Sequence, residues 1–147
     1  MSESRYIHNS HNVSNLVYHF VCPTKYRRVV VTKEVDKSMK QTCEGIELRY
    51  DWIEFLEVGT DRDHVHFLIQ STPNYSPTKI ITTVKSIIAR RMFAEHPEIK
   101  KQLWGGQFWS DGYFVATVGN GRSEKAVSAY VKKQGKQDEY EQLIFKL

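Results

Sequence analysis

The sequence predicts an α+β domain in which a four-stranded antiparallel sheet carries two helices on one face. Four short runs rich in β-branched and aromatic residues are interleaved with two longer runs whose apolar residues recur every three or four positions. Their order, β-α-β-β-α-β, is the split βαβ pattern of ferredoxin-like and RRM-like domains. A chain of 147 residues suits one domain, and residues 1–147 are assigned to it.

The first half of the chain contains the first strand and the first helix. Leu16 to Cys22 is rich in β-branched and aromatic residues and stops at Pro23, which lacks the N–H that a strand ladder needs. Thr32 is a suitable N-cap for a helix over Lys33 to Tyr50, where apolar residues follow helical spacing.

The next two strands form a hairpin. Trp52 to Val58 and His64 to Gln70 are strand-like runs, and the polar segment 59–63 connects them. We therefore expect the second strand to end at Val58 and the glycine after it to belong to the turn.

The second helix and the last strand come from the second half. A helix is predicted from Pro77 to the residue before His96, with a wide apolar face. Residues 103–112 are predicted to form an ordered loop, and Tyr113 to Val118 the fourth strand. A final helix over Glu124 to Gln134 follows the joint 119–121.

Composition excludes several classes of protein. Hydrophobic residues make up 40% and charged residues 26%, which rules out a disordered or low-complexity chain. No stretch approaches the roughly 18 consecutive apolar residues of a membrane span. Cys22 and Cys43 form no CxxC pair, so we expect a cytoplasmic protein with no membrane partner. The net charge is +4, and residues 72–147 hold 12 basic and 7 acidic residues, so the basic surface belongs to the second half.

Two histidines form the first candidate site. In His64-Val65-His66, strand alternation sends both imidazoles to one face and Val65 to the other. Neutral imidazoles that converge in this way are common metal ligands. An isolated pair of this kind also occurs on solvent-exposed strand faces without any metal.

Tyr130 and Gln134 form the second candidate site. They lie four residues apart on the last predicted helix and therefore share a face. A tyrosine at such spacing can equally be a core or rim residue. Spacing alone does not choose it over the other tyrosines, notably Tyr26, Tyr75 and Tyr113.

Basic residues next to aromatics are candidates for contacts with DNA phosphates, although a solvated charged face is the simpler alternative for each. They are Lys25, Arg27, Arg28, Lys85, Arg90, Arg91, Lys132 and Lys133. Trp104, Phe108 and Trp109 are interpreted as packing residues of the loop.

Taken together and in order, these motifs resemble a known family. The motifs are His64-Val65-His66, the aromatic and glycine-rich residues 104–114, and Tyr130-x-x-x-Gln134. The chain resembles the single-tyrosine HUH transposases (TnpA) of small bacterial and archaeal insertion sequences. The resemblance extends from about Val13 to Gly135, and every motif position is filled.

This resemblance implies an enzyme that cuts and rejoins single-stranded DNA at insertion-sequence ends and recognises subterminal hairpins. It implies that Tyr130 is the nucleophile and that His64, His66 and Gln134 bind Mg²⁺ or Mn²⁺. It also implies a homodimer in which the tyrosine helix of one subunit completes the histidine site of the other. Attack by Tyr130 would then leave a 5′-phosphotyrosine.

Three alternatives stay open at this point. An RRM-like module would bind single-stranded nucleic acid without chemistry, although the third strand has histidines and no glycine where that motif has its glycine. A domesticated transposase-like protein would act on genomic repeats. A zinc hydrolase would use His64 and His66, but no third ligand and general base occur at a recognisable spacing. A tightly held structural Zn²⁺ would have its fourth position closed by water or by a carboxylate such as Asp63 or Glu54.

Overall fold

The computed structural model describes residues 6–9, 11–25, 28–103 and 106–119 of the chain. The strands are β1 (Ile7–His8), β2 (Val13–Ser14), β3 (Leu16–Pro23), β4 (Glu54–Asp61), β5 (His64–Ser71) and β6 (Phe114–Thr117). The helices are α1 (Lys33–Arg49), α2 (Pro77–Glu95) and α3 (Pro97–Gln102). The predicted final helix over Glu124 to Gln134 and residues 120–121 of the joint lie outside the described residues.

The main sheet is antiparallel and has the strand order β4-β5-β3-β6. This order is the ferredoxin-like one, and it confirms the predicted fold class. Strands β1 and β2 form a separate two-stranded hairpin that was not predicted. Each has only two residues and lies in a polar run, so neither shows a period that a sequence pattern could reveal.

The helices begin where local chemistry favours a start. The hydroxyl of Thr32 accepts a hydrogen bond from the backbone N–H of Val35, so the predicted N-cap of α1 is confirmed. Ser76 caps α2 in the same way, and Pro77 occupies the first turn, where its missing N–H costs nothing. The short helix α3 was not predicted; it begins at Pro97, directly after α2 ends.

The hairpin between β4 and β5 corrects the sequence analysis. Strand β4 continues past Val58 to Asp61, so the turn contains only Arg62 and Asp63. Gly59 is therefore a residue of the strand interior, paired with His66 of β5, and not a turn glycine. A glycine inside a strand commonly marks a place where another group approaches the backbone closely.

The hydrophobic core lies between one face of the sheet and the helices. Phe20, Phe67 and Ile69 project from the sheet into this core, and the buried stripe of α2 (Ile80, Ile81, Val84, Ile88 and Met92) covers them. Phe108 and Trp109 are buried there too, which confirms that they are packing residues. Trp104 lies outside the described residues. Among the described helices, none combines the length and apolarity needed to cross a membrane.

Glu47 of α1 gives a test of this packing. Partial burial raises the pKa of the Glu47 carboxyl, and the nearby Glu54 raises it further. The backbone N–H of Phe55 donates a hydrogen bond of 2.8 Å to this carboxylate, which lowers the pKa and so opposes the rise. A raised pKa means that the charged form costs stability in the folded state at neutral pH. We expect Glu47→Gln to raise the free energy of unfolding at pH 7 by on the order of 0.5 kcal/mol, because the side chain stays partly solvated.

The gain is expected to disappear as the pH falls below the usual titration range of Glu, because the wild-type carboxyl is then protonated as well. Urea unfolding at pH 7 and pH 3 measures both values. Glu34→Gln is the matched control: Glu34 lies in the first turn of α1, where a negative charge is favourable, so its loss should not stabilise the protein. An equal gain for Glu47→Gln at both pH values would contradict this account.

Candidate active site

His64 and His66 lie on the face of the sheet that points away from the helices. Val65 and Phe67, their neighbours along β5, point into the core on the other face. Strand alternation therefore places the two imidazoles side by side, as predicted. Each histidine is only 3% exposed, so the alternative of two solvent-exposed histidines is wrong.

Asp63 orients the ring of His64. Its Oδ1 lies 2.9 Å from Nδ1 of His64. A carboxylate can only accept a hydrogen bond, so Nδ1 is the donor, and in the neutral imidazole the lone pair is then on Nε2. The backbone of Asp63 is also fixed, because its carbonyl oxygen accepts a hydrogen bond from the N–H of Thr24 at 2.9 Å. A carboxylate on the far nitrogen is the usual support of a metal-binding histidine.

The ring of His66 lies over the backbone of Gly59, its partner in the neighbouring strand β4. The ring occupies the space that a Cβ at this position would need. On the opposite side is His19 of β3, whose ring centroid lies 6.3 Å from that of His66 in an edge-to-face arrangement. Residues of both flanking strands thus confine the imidazole of His66.

The sequence analysis missed His19. It projects from β3 onto the same face as the histidine pair, and its ring also contacts Phe114. Burial lowers the pKa of His19 to about 4, so its imidazole is neutral at physiological pH and adds no positive charge near the pair. The predicted ferredoxin-like class was the available signal, because in that fold the first and third strands of the β-α-β-β-α-β order are neighbours and place alternate residues on one face.

The donor set suits a divalent metal ion. His64 and His66 offer two imidazoles on one buried face. The ring of His64 is hydrogen-bonded to the carboxylate of Asp63, and the ring of His66 packs against Gly59. Across the described part of the chain, no group of three or more His, Cys, Asp and Glu side chains could hold a metal ion. The described residues therefore give no support to a zinc site closed by Asp63 or Glu54. Gln134 and Tyr130 lie outside the described residues.

Two of the competing tyrosines are placed away from the histidine face. Tyr75 follows the far end of β5, where its ring stacks on that of Trp52 with centroids 3.9 Å apart. Tyr113 is on the helix side, where its hydroxyl lies 2.9 Å from that of Thr78. Tyr26 lies outside the described residues.

The predicted DNA-binding residues occupy different environments. Arg28 is exposed, and its carbonyl oxygen accepts a hydrogen bond from the hydroxyl of Thr24, which also approaches the carbonyl of Asp63. Arg28 thus belongs to the end of the sheet where the histidines lie. Arg62, which the sequence analysis missed, is exposed in the turn just before Asp63. The signal for it was its position two residues before His64. Lys25 is partly buried near the same end, where its backbone N–H donates to Phe108.

The basic residues of α2 lie on the helix side of the sheet. Arg90 and Arg91 are exposed and contact Ser86 and Glu95 of their own helix. Lys85 is partly buried, and its ammonium donates to the carbonyl oxygen of Ser110 at 3.0 Å. Burial lowers the pKa of Lys85. Arg27, Lys132 and Lys133 lie outside the described residues.

Residues 12–134 match the family described as Transposase IS200 like. The chain belongs to the IS200-like transposase family. It is 32% identical over 122 residues to the ISDra2 transposase TnpA of Deinococcus radiodurans, a match that covers 83% of this chain and 86% of the relative. It is 28% identical over 133 residues to the transposase for insertion sequence element IS200 of Salmonella typhimurium, covering 88% and 83% of the two chains.

Two solved structures are similar to this IS200-like transposase. A transposase from Deinococcus radiodurans R1 superimposes with a TM-score of 0.70 and 30% identity, covering 87% of this chain and 97% of the other. A REP-associated tyrosine transposase bound to a REP hairpin superimposes with a TM-score of 0.51 and 13% identity, covering 82% and 64%. The second similarity shows the fold alone. The chain is thus a DNA-processing enzyme of the transposase class, and the resemblance identified from its motifs is confirmed.

The contact between Asp63 and His64 can be tested directly. In ¹⁵N-histidine NMR spectra at pH 8, His64 is expected to carry its proton on Nδ1. Asp63→Ala removes a charge-assisted hydrogen bond of about 1.5–3 kcal/mol and should shift the tautomer ratio toward the Nε2–H form by roughly tenfold or more. Asp51→Ala removes a carboxylate at the other end of β4 and should leave His64 unchanged. An unaltered His64 spectrum in Asp63→Ala would contradict the geometry.

Proposed function

We propose that this IS200-like transposase cuts and rejoins single-stranded DNA with Tyr130 as nucleophile and a divalent metal ion, Mg²⁺ or Mn²⁺, held by His64, His66 and Gln134. The observation that carries the proposal is the pair of buried histidines on one sheet face, supported by Asp63 and Gly59, in a chain of this family. When bound, such an ion would act as a Lewis acid on the scissile phosphate and help to position it.

The protein's own residues have separate tasks in this reaction. The phenol oxygen of Tyr130 attacks the scissile phosphorus, the new P–O bond forms, and the bond to the 3′-oxygen breaks. The phenol loses its proton and the departing 3′-oxygen takes one up, so the cut strand ends in a 3′-hydroxyl. The phosphotyrosine retains the energy needed to join the 5′ end to another strand. Asp63 keeps His64 in the tautomer whose Nε2 lone pair is available to bind a metal ion.

The placement of Tyr75 and Tyr113, two of the competing tyrosines, supports the assignment of Tyr130. Tyr75 and Tyr113 are engaged with Trp52 and Thr78, and neither is on the histidine face. A nucleophile must approach that face to reach a phosphate next to the two imidazoles. Tyr130 is the tyrosine of the Tyr-x-x-x-Gln motif, which also supplies the amide oxygen of Gln134.

Hairpin DNA is the proposed substrate. The solved REP-associated transposase with the same fold is bound to a REP hairpin, and this supports a hairpin ligand here. Arg28 and Arg62 are exposed at the end of the sheet where the histidines lie, so they are suited to contact phosphates near the cleavage site. Arg90 and Arg91 offer charge on the helix layer, farther from the chemistry.

Tyr130→Phe tests the nucleophile. Wild-type protein, labelled single strands from the gene's own flanks and Mg²⁺ should give a covalent adduct on an SDS gel, and EDTA should abolish it. Tyr130→Phe should form no adduct yet still shift the hairpin on a native gel, because only the attacking oxygen is removed. Tyr75→Phe, the matched control, should form adduct at the wild-type level. An adduct that persists in Tyr130→Phe would assign the nucleophile elsewhere.

A mixture of inactive variants tests whether a homodimer shares its sites. His64→Ala should form a dimer but no adduct, and so should Tyr130→Phe. When the two are co-expressed, sites built from both subunits should recover roughly a quarter of the wild-type adduct, because half of the dimers are mixed and each has one intact site. No recovery, in dimers shown to be mixed, would indicate that each subunit builds its own site.

A further inference from the structure

We propose that Gly59 is a positioning residue. Because it has no Cβ, the His66 imidazole can pack directly against its backbone, and any larger residue would displace that ring from the active-site face. The expected effect on metal binding rests on the proposed function, whereas the packing of the His66 ring against Gly59 depends only on the geometry of the folded chain. It also explains why β4 contains a glycine in its interior, two residues before its last residue, Asp61.

The geometry leaves no space for a side chain. A Cβ built on Gly59 would lie 1.8 Å from Cε1 of His66, 2.3 Å from Nε2 and 2.6 Å from Nδ1. All three distances are far below van der Waals contact, so the ring and a Cβ cannot occupy this place together. The overlap involves Cε1 and both ring nitrogens, so a Cβ here would displace the atoms through which His66 could bind a metal ion.

The glycine is required for space and not for backbone conformation. Among the glycines of the described segments, only Gly106 has a positive φ, at 75°. Gly59 has ordinary strand geometry and pairs in register with His66, a conformation that any L-residue can adopt. Alanine at this position would therefore be tolerated by the backbone, and the three heavy atoms nearest to its Cβ would all belong to the His66 imidazole.

The imidazole has little freedom to move aside. His66 is 3% exposed, Val21 is its partner on the other flanking strand, and the ring of His19 on that strand contacts its ring edge to face. A methyl group at position 59 would push His66 toward His19 or force a different rotamer. Either response moves the nitrogens away from their place beside His64.

Three variants and one matched control test this role. Gly59→Ala adds the methyl group, His66→Ala removes the ring, and the double variant combines both. Gly45→Ala is the control, because a Cβ at Gly45 in α1 would meet nothing within 4 Å. The measurements are the His66 ring resonances by NMR with ¹³C,¹⁵N-histidine, Mn²⁺ binding by EPR titration, and the thermal midpoint of unfolding.

We expect Gly59→Ala to shift the His66 ring resonances, to weaken Mn²⁺ binding about tenfold or more, and to lower Tm. Gly45→Ala should change none of these adversely. In the His66→Ala background, Gly59→Ala should no longer lower Tm, because the ring that it strikes is absent. If Gly59→Ala proves too unstable to purify, the double variant should still fold.

Two outcomes would overturn the inference: unchanged His66 resonances in Gly59→Ala, or an equal loss of Tm with and without the His66 ring. If the wild type binds no Mn²⁺, the metal site of the proposed function fails. The resonances and the pair of Tm differences would still decide whether Gly59 seats His66, so the two failures are distinguishable.

Discussion

Burial of the central strand β5 on both faces is the constraint on which the rest of the structure depends. All eight of its residues are buried. Val65, Phe67 and Ile69 complete the core under the helices, while His64, His66 and Gln70 face the other way. Buried polar groups are costly unless they are satisfied. The strand therefore needs specific partners on its polar face, and it has them in Asp63, which binds His64, and Asn15, which accepts from Gln70.

The same constraint links the fold to its chemistry. Because β5 pairs with β3 on one side and β4 on the other, each histidine is set by residues that the sheet register puts beside it. His66 lies between Gly59 and His19, and His64 is fixed by the residue that ends the hairpin turn. The hydrogen bonds of Thr24 then tie this turn to the end of β3. A site held in this way by backbone pairing needs little rearrangement to bind a ligand.

Much of the fold could be predicted from the sequence, because its helices and strands have regular spacing of apolar residues and the helices have recognisable N-cap residues. Thr32, the apolar stripe of α2 and the alternation through His64 and His66 all have local signatures, and each was confirmed. The strand β4 was predicted to end too early, because a glycine in a polar stretch looks like a turn. Its actual role depends on a side chain seven residues later in another strand, which no local pattern reveals.

The site was predictable only in part, for a similar reason. The histidine pair follows from alternation along one strand, whereas His19 joins it through the pairing of β3 with β5. Lys85 is a different case: its charge makes it a candidate phosphate contact, and in the structure its ammonium is partly buried and donates to the Ser110 carbonyl. Charge in the sequence indicates which residues can contact DNA, but packing decides which of those charged groups stay accessible to a phosphate.

The central claim is that His64 and His66 jointly hold a divalent cation on the face of the sheet away from the helices. Anomalous diffraction from crystals of the full chain grown with Mn²⁺ tests it most directly. The account predicts a manganese peak within bonding distance of a ring nitrogen of each histidine, with Asp63 still on Nδ1 of His64. Manganese bound elsewhere, or a site that involves only one of the two imidazoles, would contradict it.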